Sequence, residues 1–174
     1  MPETPLTASD SDSKSNANAL GLDDLQAYID ANAVAATILP LGEHTPTVAD
    51  AARVLAVETD EIVKSLVFLV NGEPLLVINN GLARVDRKKL AAHLGVGQKR
   101  VKFASPDQAL SISGYVVGSM PPFGHRRPLP TLVDTMVMDW ETVYGGGGGI
   151  DAMMRVTTTE LIRVTDAQVT SISE

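Results

Sequence analysis

The chain has 174 residues and 44% of them are hydrophobic, which is enough for one domain with a sizeable core and leaves little room for a second. It contains no cysteine, so disulfides, thiolate metal ligands and a cysteine nucleophile are excluded. Because it has neither a run of about 18 apolar residues nor a signal-peptide pattern, we expect a cytoplasmic protein with no membrane partner.

The net charge of -7 at pH 7 argues against a polyanionic partner, because binding to nucleic acid usually depends on Lys and Arg. The charge is unevenly distributed, however. Between residues 84 and 127 there are nine basic and two acidic residues, so this segment carries a charge of +7. It is either an ordinary solvated surface or a flank that faces phosphates, and the sequence leaves both interpretations open.

The first segment, residues 1 to 18, is rich in Ser, Thr, Asp, Asn and Pro and has almost no large apolar side chains. Such a segment cannot offset the entropy lost on ordering by burying apolar surface. We therefore predict a disordered N-terminal tail over residues 1 to 18 and one folded domain over residues 19 to 174.

The first half of the domain alternates helix and strand signals. Apolar side chains at helical spacing predict a first helix that includes Leu22, and an apolar run predicts a strand over residues 37–41. Thr47 and Asp50 form a capping-box-like start, which predicts a helix from residue 48 to about residue 56.

The clearest local signal is Asn71-Gly72, which lies between two apolar runs, residues 65–70 and 74–78. Asn-Gly tolerates the positive φ angles that tight hairpin turns require, so these runs are predicted to pair antiparallel. Both runs are apolar at consecutive positions, which predicts that both faces of the sheet are covered.

Capping residues mark three further helix starts at Asp86, Ser105 and Thr157. Short strands are predicted over residues 99–104, 129–134, 142–144 and 151–156. Because strands and helices interleave around one hairpin, we expect a single α/β domain with a mixed, largely antiparallel sheet flanked by helices.

Two loops rich in glycine and proline, residues 114–124 and 145–149, are candidates for chemistry. Glycine lets the backbone approach a ligand closely, and such loops can direct N–H groups at an oxyanion. The alternative is that they are plain connections. Lys64, beside an apolar strand, is either a substrate contact or a lysine whose stem lies along apolar surface while its ammonium group stays in water.

The three histidines, His44, His93 and His125, have no metal-binding spacing with a carboxylate, so we expect neither a metal nor another cofactor. The sequence also has no serine-hydrolase elbow, zinc-protease helix motif or P-loop. Any catalysis is therefore expected to use other groups.

In order and spacing, these features resemble the YbaK-like editing domains associated with prolyl-tRNA synthetase, over roughly residues 40–165. The matching features, in chain order, are Thr47 with its alanine-bearing helix, Lys64 before Ser-Leu-Val-Phe, the hairpin, Val85-Asp86 before Lys-Lys-Leu, Ala104-Ser105-Pro106, Gly114-Tyr115, Asp134 after Leu-Pro-Thr-Leu-Val, a late glycine cluster and Glu160-Leu161. The resemblance implies the YbaK-like fold and a deacylase that hydrolyses the ester of a mischarged tRNA, either tRNA-Pro or a related tRNA that carries a small amino acid.

The resemblance also implies a site formed by Lys64 and the G-x-x-x-P loop from Gly118 to Pro122. We predict Lys64, Gly118 and Gly124 as catalytic: loop N–H groups hold the ester carbonyl and Lys64 anchors a phosphate or carbonyl oxygen, while water attacks with help from a ribose hydroxyl. The predicted substrate-binding residues are Thr47, Val48, Gly114, Tyr115, Met120, Pro121, Pro122, Phe123, Asp134, Gly147 and Gly148. The predicted tRNA-binding residues are Arg87, Lys88, Lys89, Arg126 and Arg127.

The sequence departs from the family pattern at two places. Relatives that act on cysteinyl-tRNA commonly have serine immediately before the loop proline, whereas this chain has Pro121, which argues against cysteine as the amino acid removed. The glycine run over residues 145–149 is also longer than the usual pattern, so its alignment with the family is not fixed by the sequence.

Two other classes of protein remain open: a non-catalytic aminoacyl-tRNA or RNA-binding module of the same fold, and a small-molecule ester hydrolase. Affinity for tRNA should fall steeply as salt rises, whereas binding of a small ester should not. Because the rest of the chain, outside residues 84–127, carries a net negative charge, we expect weak tRNA binding that prolyl-tRNA synthetase or an elongation factor assists. The sequence does not define the oligomeric state.

Overall fold

In a computed structural model of the chain, residues 18–174 are described. The predicted disordered tail, residues 1 to 18, lies outside the described residues except for Asn18. Across residues 18–174, no helix combines the length and the apolar character needed to cross a membrane.

Five α-helices and eight strands form the described part of the chain. The helices are α1 (Leu22–Ala31), α2 (Val48–Leu55), α3 (Arg87–Leu94), α4 (Pro106–Ser113) and α5 (Thr158–Thr165). The strands are β1 (Ala36–Pro40), β2 (Val63–Val70), β3 (Glu73–Asn80), β4 (Val101–Phe103), β5 (Thr131–Asp134), β6 (Thr142–Gly146), β7 (Ala152–Thr157) and β8 (Gln168–Thr170). Short 3-10 helices lie at Thr59–Glu61, Gln98–Arg100 and Thr135–Asp139.

The strands form two sheets, which confirms the predicted α/β class with mixed, mostly antiparallel pairing. The larger sheet has the order β4-β2-β3-β5-β8, with antiparallel pairs from β4 to β3 and parallel pairs from β3 to β8. The smaller sheet is antiparallel, in the order β1-β7-β6. A parallel bridge between Ile62 and Tyr144 joins the two sheets at the start of β2.

The predicted hairpin is present, and its turn explains the pairing of β2 with β3. Asn71 and Gly72 have φ angles of 51° and 83°, the positive values that a tight two-residue turn requires. This turn sets Lys64 opposite Asn79 in the antiparallel register.

Strand β3 is buried on both faces, as its apolar run predicts. Leu76 and Ile78 pack into one core cluster, whereas Leu75 and Val77 pack into a second cluster on the other face. Both clusters are nearly closed to solvent, so β2 and β3 form a rigid centre from which the start of β2 extends towards the smaller sheet.

The helix caps also follow the sequence. Thr47, Asp86, Ser105 and Thr157 each accept a backbone N–H of the first turn of the helix that follows. Differences are confined to short elements. Residues 98–100 form a 3-10 helix rather than the start of β4, and β6 continues into the glycine run as far as Gly146.

Candidate active site

A cavity of about 230 Å³ lies where the start of β2 meets the smaller sheet. Its walls come from the start of α2, the start of β2, the loop after α4, and strands β6 and β7. The lining residues include four of the predicted site residues, Thr47, Val48, Lys64 and Gly118, and a fifth, Met120. The structure therefore brings these five predicted residues together, although Thr47 and Met120 are 73 positions apart in the sequence.

The first wall is the N-terminal turn of α2. Thr47 Oγ1 accepts the N–H of Asp50 at 3.1 Å and donates to Asp50 Oδ2 at 2.7 Å, which fixes the start of the helix. The same turn directs Val48 and Ala51 at the cavity, and Ala51 is buried. This wall is apolar, with the Thr47 hydroxyl at its rim.

The second wall is β2, where Lys64 is half-buried and its Nζ donates to the Ala83 carbonyl oxygen at 2.5 Å. Burial lowers the pKa of Lys64 below its usual value of 10.5, and the nearby Arg84 charge lowers it further. The next residue, Ser65, carries a buried Oγ for which the described residues provide no hydrogen-bond partner. A cation and an unpaired hydroxyl therefore both line the cavity at the start of β2.

The third wall is a tight turn over residues 116–119. The Ser119 N–H donates to the Val116 carbonyl at 3.0 Å, and Gly118 has a φ of 95°, which residues with a side chain rarely adopt. Within residues 18–174, the amide N–H groups of Gly118 and Met120 have no acceptor. Two unpaired donors therefore belong to residues that line the cavity.

The glycine run forms the support behind this turn. The Gly148 N–H donates to the Ser119 carbonyl at 2.9 Å, and Gly146 lies so close that a Cβ there would overlap the Met120 carbonyl oxygen. At Gly147 a Cβ would lie 2.7 Å from the Ala152 carbonyl carbon. Gly148 therefore holds the loop in place, and Gly147 packs against Ala152 within its own hairpin. Gly146 is the member of the run that lines the cavity.

The chemistry available in this cavity is electrostatic. Among the described lining residues there is one cation, Lys64, with hydroxyl groups and backbone amides, and there is neither a carboxylate nor an imidazole. Within residues 18–174, no three His, Asp or Glu side chains gather as a metal site would require. Such a lining can stabilise a developing oxyanion and position water, but it offers no acid–base pair.

Several residues predicted from the loop after α4 are not brought to this cavity. Gly114 ends α4 with a φ of 89°, and a Cβ there would lie 2.6 Å from the Leu20 side chain. Tyr115 is buried in the main core and its hydroxyl donates to the Gly124 carbonyl at 3.2 Å. Both residues therefore have structural roles in the loop and do not line the cavity.

The end of the same loop points to a different place. Pro122, Phe123 and Gly124 line a separate cavity of about 170 Å³, together with Tyr28. The Phe123 ring lies 5.8 Å from the Tyr28 ring and is buried in the main core. The structure thus separates Gly124, predicted as catalytic, from Lys64 and Gly118, because packing against α1 draws the chain away after Met120.

Pro121 and the neighbouring His125 link the two ends of the loop. Pro121 is buried and does not line the cavity. Its carbonyl oxygen lies 2.8 Å from Nε2 of His125. In the tautomer that carries the Nε2 proton, His125 donates this hydrogen bond. Burial lowers the pKa of His125, and the hydrogen bond to Pro121 opposes that shift. This contact fixes the loop directly after Met120.

Asp134, which was predicted to contact substrate, lies away from this cavity and holds the end of the chain. Asp134 is 1% exposed, and its carboxylate accepts three backbone N–H groups: that of Met136 at 2.8 Å, and those of Ile172 and Ser173 at 2.9 Å each. These bonds hold the last residues of the chain against β5. Asp134 therefore does not line the cavity.

The predicted tRNA-binding residues are exposed, and three of them also make structural contacts. Arg87 donates to the Val101 carbonyl, Lys89 to the Ser173 carbonyl and Arg126 to the Asn18 carbonyl. Lys88 and Arg127 complete the set, and both are exposed. In the described part of the chain, the two salt bridges, Arg53 to Glu43 and Arg163 to Glu160, involve none of these residues.

Sequence reasoning missed nine lining residues that the fold adds: Thr45, Ala51, Ile62, Val63, Ser65, Leu66, Val117, Gly146 and Met153. Ser65 had a signal, because it is a polar residue inside an otherwise apolar strand. Gly146 had a weaker one as part of the glycine run. Met153 had none, since nothing in its sequence surroundings indicates that β7 passes behind the cavity.

Comparisons with known proteins agree with this geometry. The family model for the aminoacyl-tRNA editing domain matches residues 42–164. The hypothetical protein APE2540 has a solved structure that superposes with a TM-score of 0.80 at 31% identity, covering 87% of this chain and 99% of that one. A candidate trans-editing enzyme for prolyl-tRNA synthetase superposes with a TM-score of 0.78 at 29% identity, covering 88% of this chain and 96% of that one.

Relatives found by sequence similarity agree with these matches, although the similarity covers a smaller share of this chain. The uncharacterized protein YwhH of Bacillus subtilis is 28% identical over 116 residues, which are 66% of this chain and 72% of YwhH. The proline–tRNA ligase of Ligilactobacillus salivarius is 31% identical over 91 residues, which are 52% of this chain and 16% of the ligase. The chain thus spans less than a fifth of that ligase.

The fold and the cavity define a single α/β domain with a cation and unpaired amides around one small apolar site. The chain belongs to the aminoacyl-tRNA editing domain family, and its similarity to editing domains of the YbaK-like, prolyl-tRNA-synthetase-associated type extends over most of the described fold.

Proposed function

We propose that this protein is a trans-editing deacylase, which hydrolyses the ester between a tRNA and a wrongly attached amino acid. One observation carries the proposal: Lys64 and the residues that bear the unpaired amides, Gly118 and Met120, line the same cavity. Membership of the editing family and similarity to a candidate trans-editing enzyme support the same activity.

The lining supports hydrolysis by water without a protein nucleophile. An aminoacyl ester is already activated, so it needs an oriented water and stabilisation of the negative charge that forms on the carbonyl oxygen. The amides of Gly118 and Met120 supply hydrogen bonds to that oxygen, and Lys64 supplies a positive charge nearby. When the ester bond breaks, the ribose oxygen leaves with a proton and the amino acid is released.

The size and polarity of the cavity favour a small amino acid. Val48, Ala51 and Met153 make its inner wall apolar, and its volume of about 230 Å³ has to hold the acyl group together with part of the ribose. A synthetase pocket distinguishes amino acids that differ by one methylene by only about 1–3 kcal/mol, so a second site that accepts the smaller one adds fidelity. We propose tRNA-Pro or a related tRNA as the carrier, with prolyl-tRNA synthetase or an elongation factor as the docking partner.

The test is a deacylation assay with purified protein and a panel of tRNAs charged with alanine, serine, cysteine or threonine. We expect hydrolysis of at least one small aminoacyl-tRNA, with cysteine a poor substrate. Replacing Lys64 with methionine should lower kcat/KM by about 10²-fold, in the range found when one stabilising group for an oxyanion is removed.

The matched control is Lys99→Met, which removes an exposed lysine that lies outside the cavity and is not among the predicted tRNA-binding residues. It should leave kcat/KM unchanged. Full activity of Lys64→Met on every charged tRNA would refute the role of Lys64, and binding of aminoacyl-tRNA without hydrolysis would favour a non-catalytic binding module.

A further inference from the structure

A second groove, of about 370 Å³, continues from the candidate active site across the face of β2 that carries Lys64, Leu66 and Phe68. It is lined by Lys64, Leu66 and Phe68 on β2, and by Arg84, Arg87 and Phe103 opposite them. Lys64 and Leu66 line both the cavity and the groove, so the two depressions meet at these side chains. An extended ligand held at the cavity can therefore continue into the groove.

Phe103 is the distinctive side chain of this groove, because it is 60% exposed although it is a large aromatic residue. The Phe103 ring stands edge-on to the buried ring of Phe68, with 5.3 Å between the two centroids. This contact fixes the orientation of the Phe103 ring. An exposed aromatic ring of fixed orientation is the surface on which proteins stack unpaired bases.

The rim of the groove is positively charged. Arg87 donates from Nε to the Val101 carbonyl at 3.1 Å, which fixes its guanidinium beside the strand that carries Phe103. Arg84 also lines the groove and is exposed, and within residues 18–174 it takes part in no salt bridge. These cations are available to phosphates, as a strand of nucleic acid requires.

We propose that this groove holds an unpaired nucleotide of the RNA strand that leads to the acyl linkage, with its base on the Phe103 ring and its phosphate against Arg84. The proposal rests on the proposed function, since it takes the acyl group to lie in the cavity beside Lys64. It assigns this face of β2 to the single-stranded 3′ end of the RNA and leaves the paired stem outside the groove.

The experiment compares two uncharged RNA hairpins with the same stem, one with an unpaired four-nucleotide 3′ end that finishes in CCA and one with a blunt end. Dissociation constants are measured by fluorescence anisotropy at fixed salt. We expect the wild type to prefer the hairpin with the unpaired end. Phe103→Ala should weaken that binding by about 5- to 150-fold, which corresponds to the stacking free energy of one base.

Two further variants separate stacking from folding and from charge. Phe103→Trp keeps a stacking surface, so it should bind like the wild type, and its added indole fluorescence should be quenched by the unpaired end and not by the blunt hairpin. Arg84→Ala should weaken binding and make it less dependent on salt, whereas Lys99→Ala, an exposed cation that does not line the groove, should have a smaller effect.

The result that overturns the proposal is equal binding of both hairpins by Phe103→Ala and wild type, with no quenching in Phe103→Trp. Because these hairpins carry no amino acid, the outcome is independent of deacylation. If the protein binds the unpaired end through Phe103 but hydrolyses no aminoacyl-tRNA, the assignment of the groove stands and the proposed function is wrong. If the protein is an active deacylase and Phe103→Ala leaves its KM unchanged, the proposed function stands and the assignment of the groove is wrong.

Discussion

Gly146 lies directly behind Met120, so close that the backbone of β6 touches the carbonyl of the loop that forms one wall of the cavity. A Cβ at position 146 would overlap that carbonyl oxygen. The absence of a side chain at Gly146 therefore sets how far the loop with Gly118 can approach Lys64.

We predict that Gly146→Ala displaces this loop. The free energy of unfolding should fall by about 1–3 kcal/mol, the usual cost of overpacking, and deacylation should fall further than the loss of folded protein explains. Urea denaturation and initial rates measure the two effects. Gly97→Ala is the control, because Gly97 has a φ of -69° and open space where a Cβ would lie. Equal behaviour of the two variants would show that Gly146 does not constrain the loop.

A second prediction concerns Asp134, whose carboxylate accepts the N–H groups of Met136, Ile172 and Ser173. In Asp134→Asn an amide NH₂ replaces one acceptor, so at least one buried donor is left unpaired, and unfolding should require about 1–3 kcal/mol less. Chemical denaturation measures this difference, with the exposed Asp139→Asn as control. The folded variant should keep its kcat/KM; a specific loss of activity at full folding would instead place Asp134 in contact with substrate.

The third prediction is a pH dependence of stability that originates at His125. Burial lowers the pKa of His125 in the folded state below 6.5, so the unfolded chain binds a proton first as pH falls. The stabilisation is present above pH 6.5 and is lost as pH falls through the folded pKa. His125→Gln keeps a donor for the Pro121 carbonyl but does not titrate. The difference in unfolding free energy between wild type and variant should therefore shrink between pH 7 and pH 5, and a constant difference would contradict the assignment.

The fourth prediction tests the cavity as a size filter. Val48→Phe should narrow the inner wall and reduce hydrolysis of threonyl-tRNA more than that of alanyl-tRNA, because the larger acyl group loses its space first. The measurement is the ratio of kcat/KM for the two substrates. Met138→Phe enlarges a side chain that is 38% exposed and does not line the cavity, so its ratio should match that of the wild type. A similar change of ratio in both variants would argue against this filter.

Much of the fold could be predicted from the sequence because its signals are local. The Asn71-Gly72 turn and the capping residues Thr47, Asp86 and Ser105 act on neighbouring residues, and each is found in the role that its residue type indicates. Strand β8 was missed, because Gln168–Thr170 has little apolar signal and is defined by its parallel pairing with β5.

The candidate site was predictable only in part. Lys64, Gly118 and Met120 were identified through their resemblance to a family pattern, and the fold places them on one cavity. Gly124 and Asp134 have the same residue types as site residues elsewhere, yet tertiary packing turns the first towards α1 and uses the second to hold the end of the chain. Sequence order does not show on which side of a loop each residue falls.

The cavity takes its walls from α2, β2, the loop after α4 and the β6–β7 hairpin, which no short fragment of the chain contains together. Its existence is therefore a property of the whole domain and not of any one motif. Loss of catalysis and loss of helical circular dichroism should follow the same denaturation curve, and limited proteolysis between any two of these walls should abolish turnover even where each fragment retains its local structure.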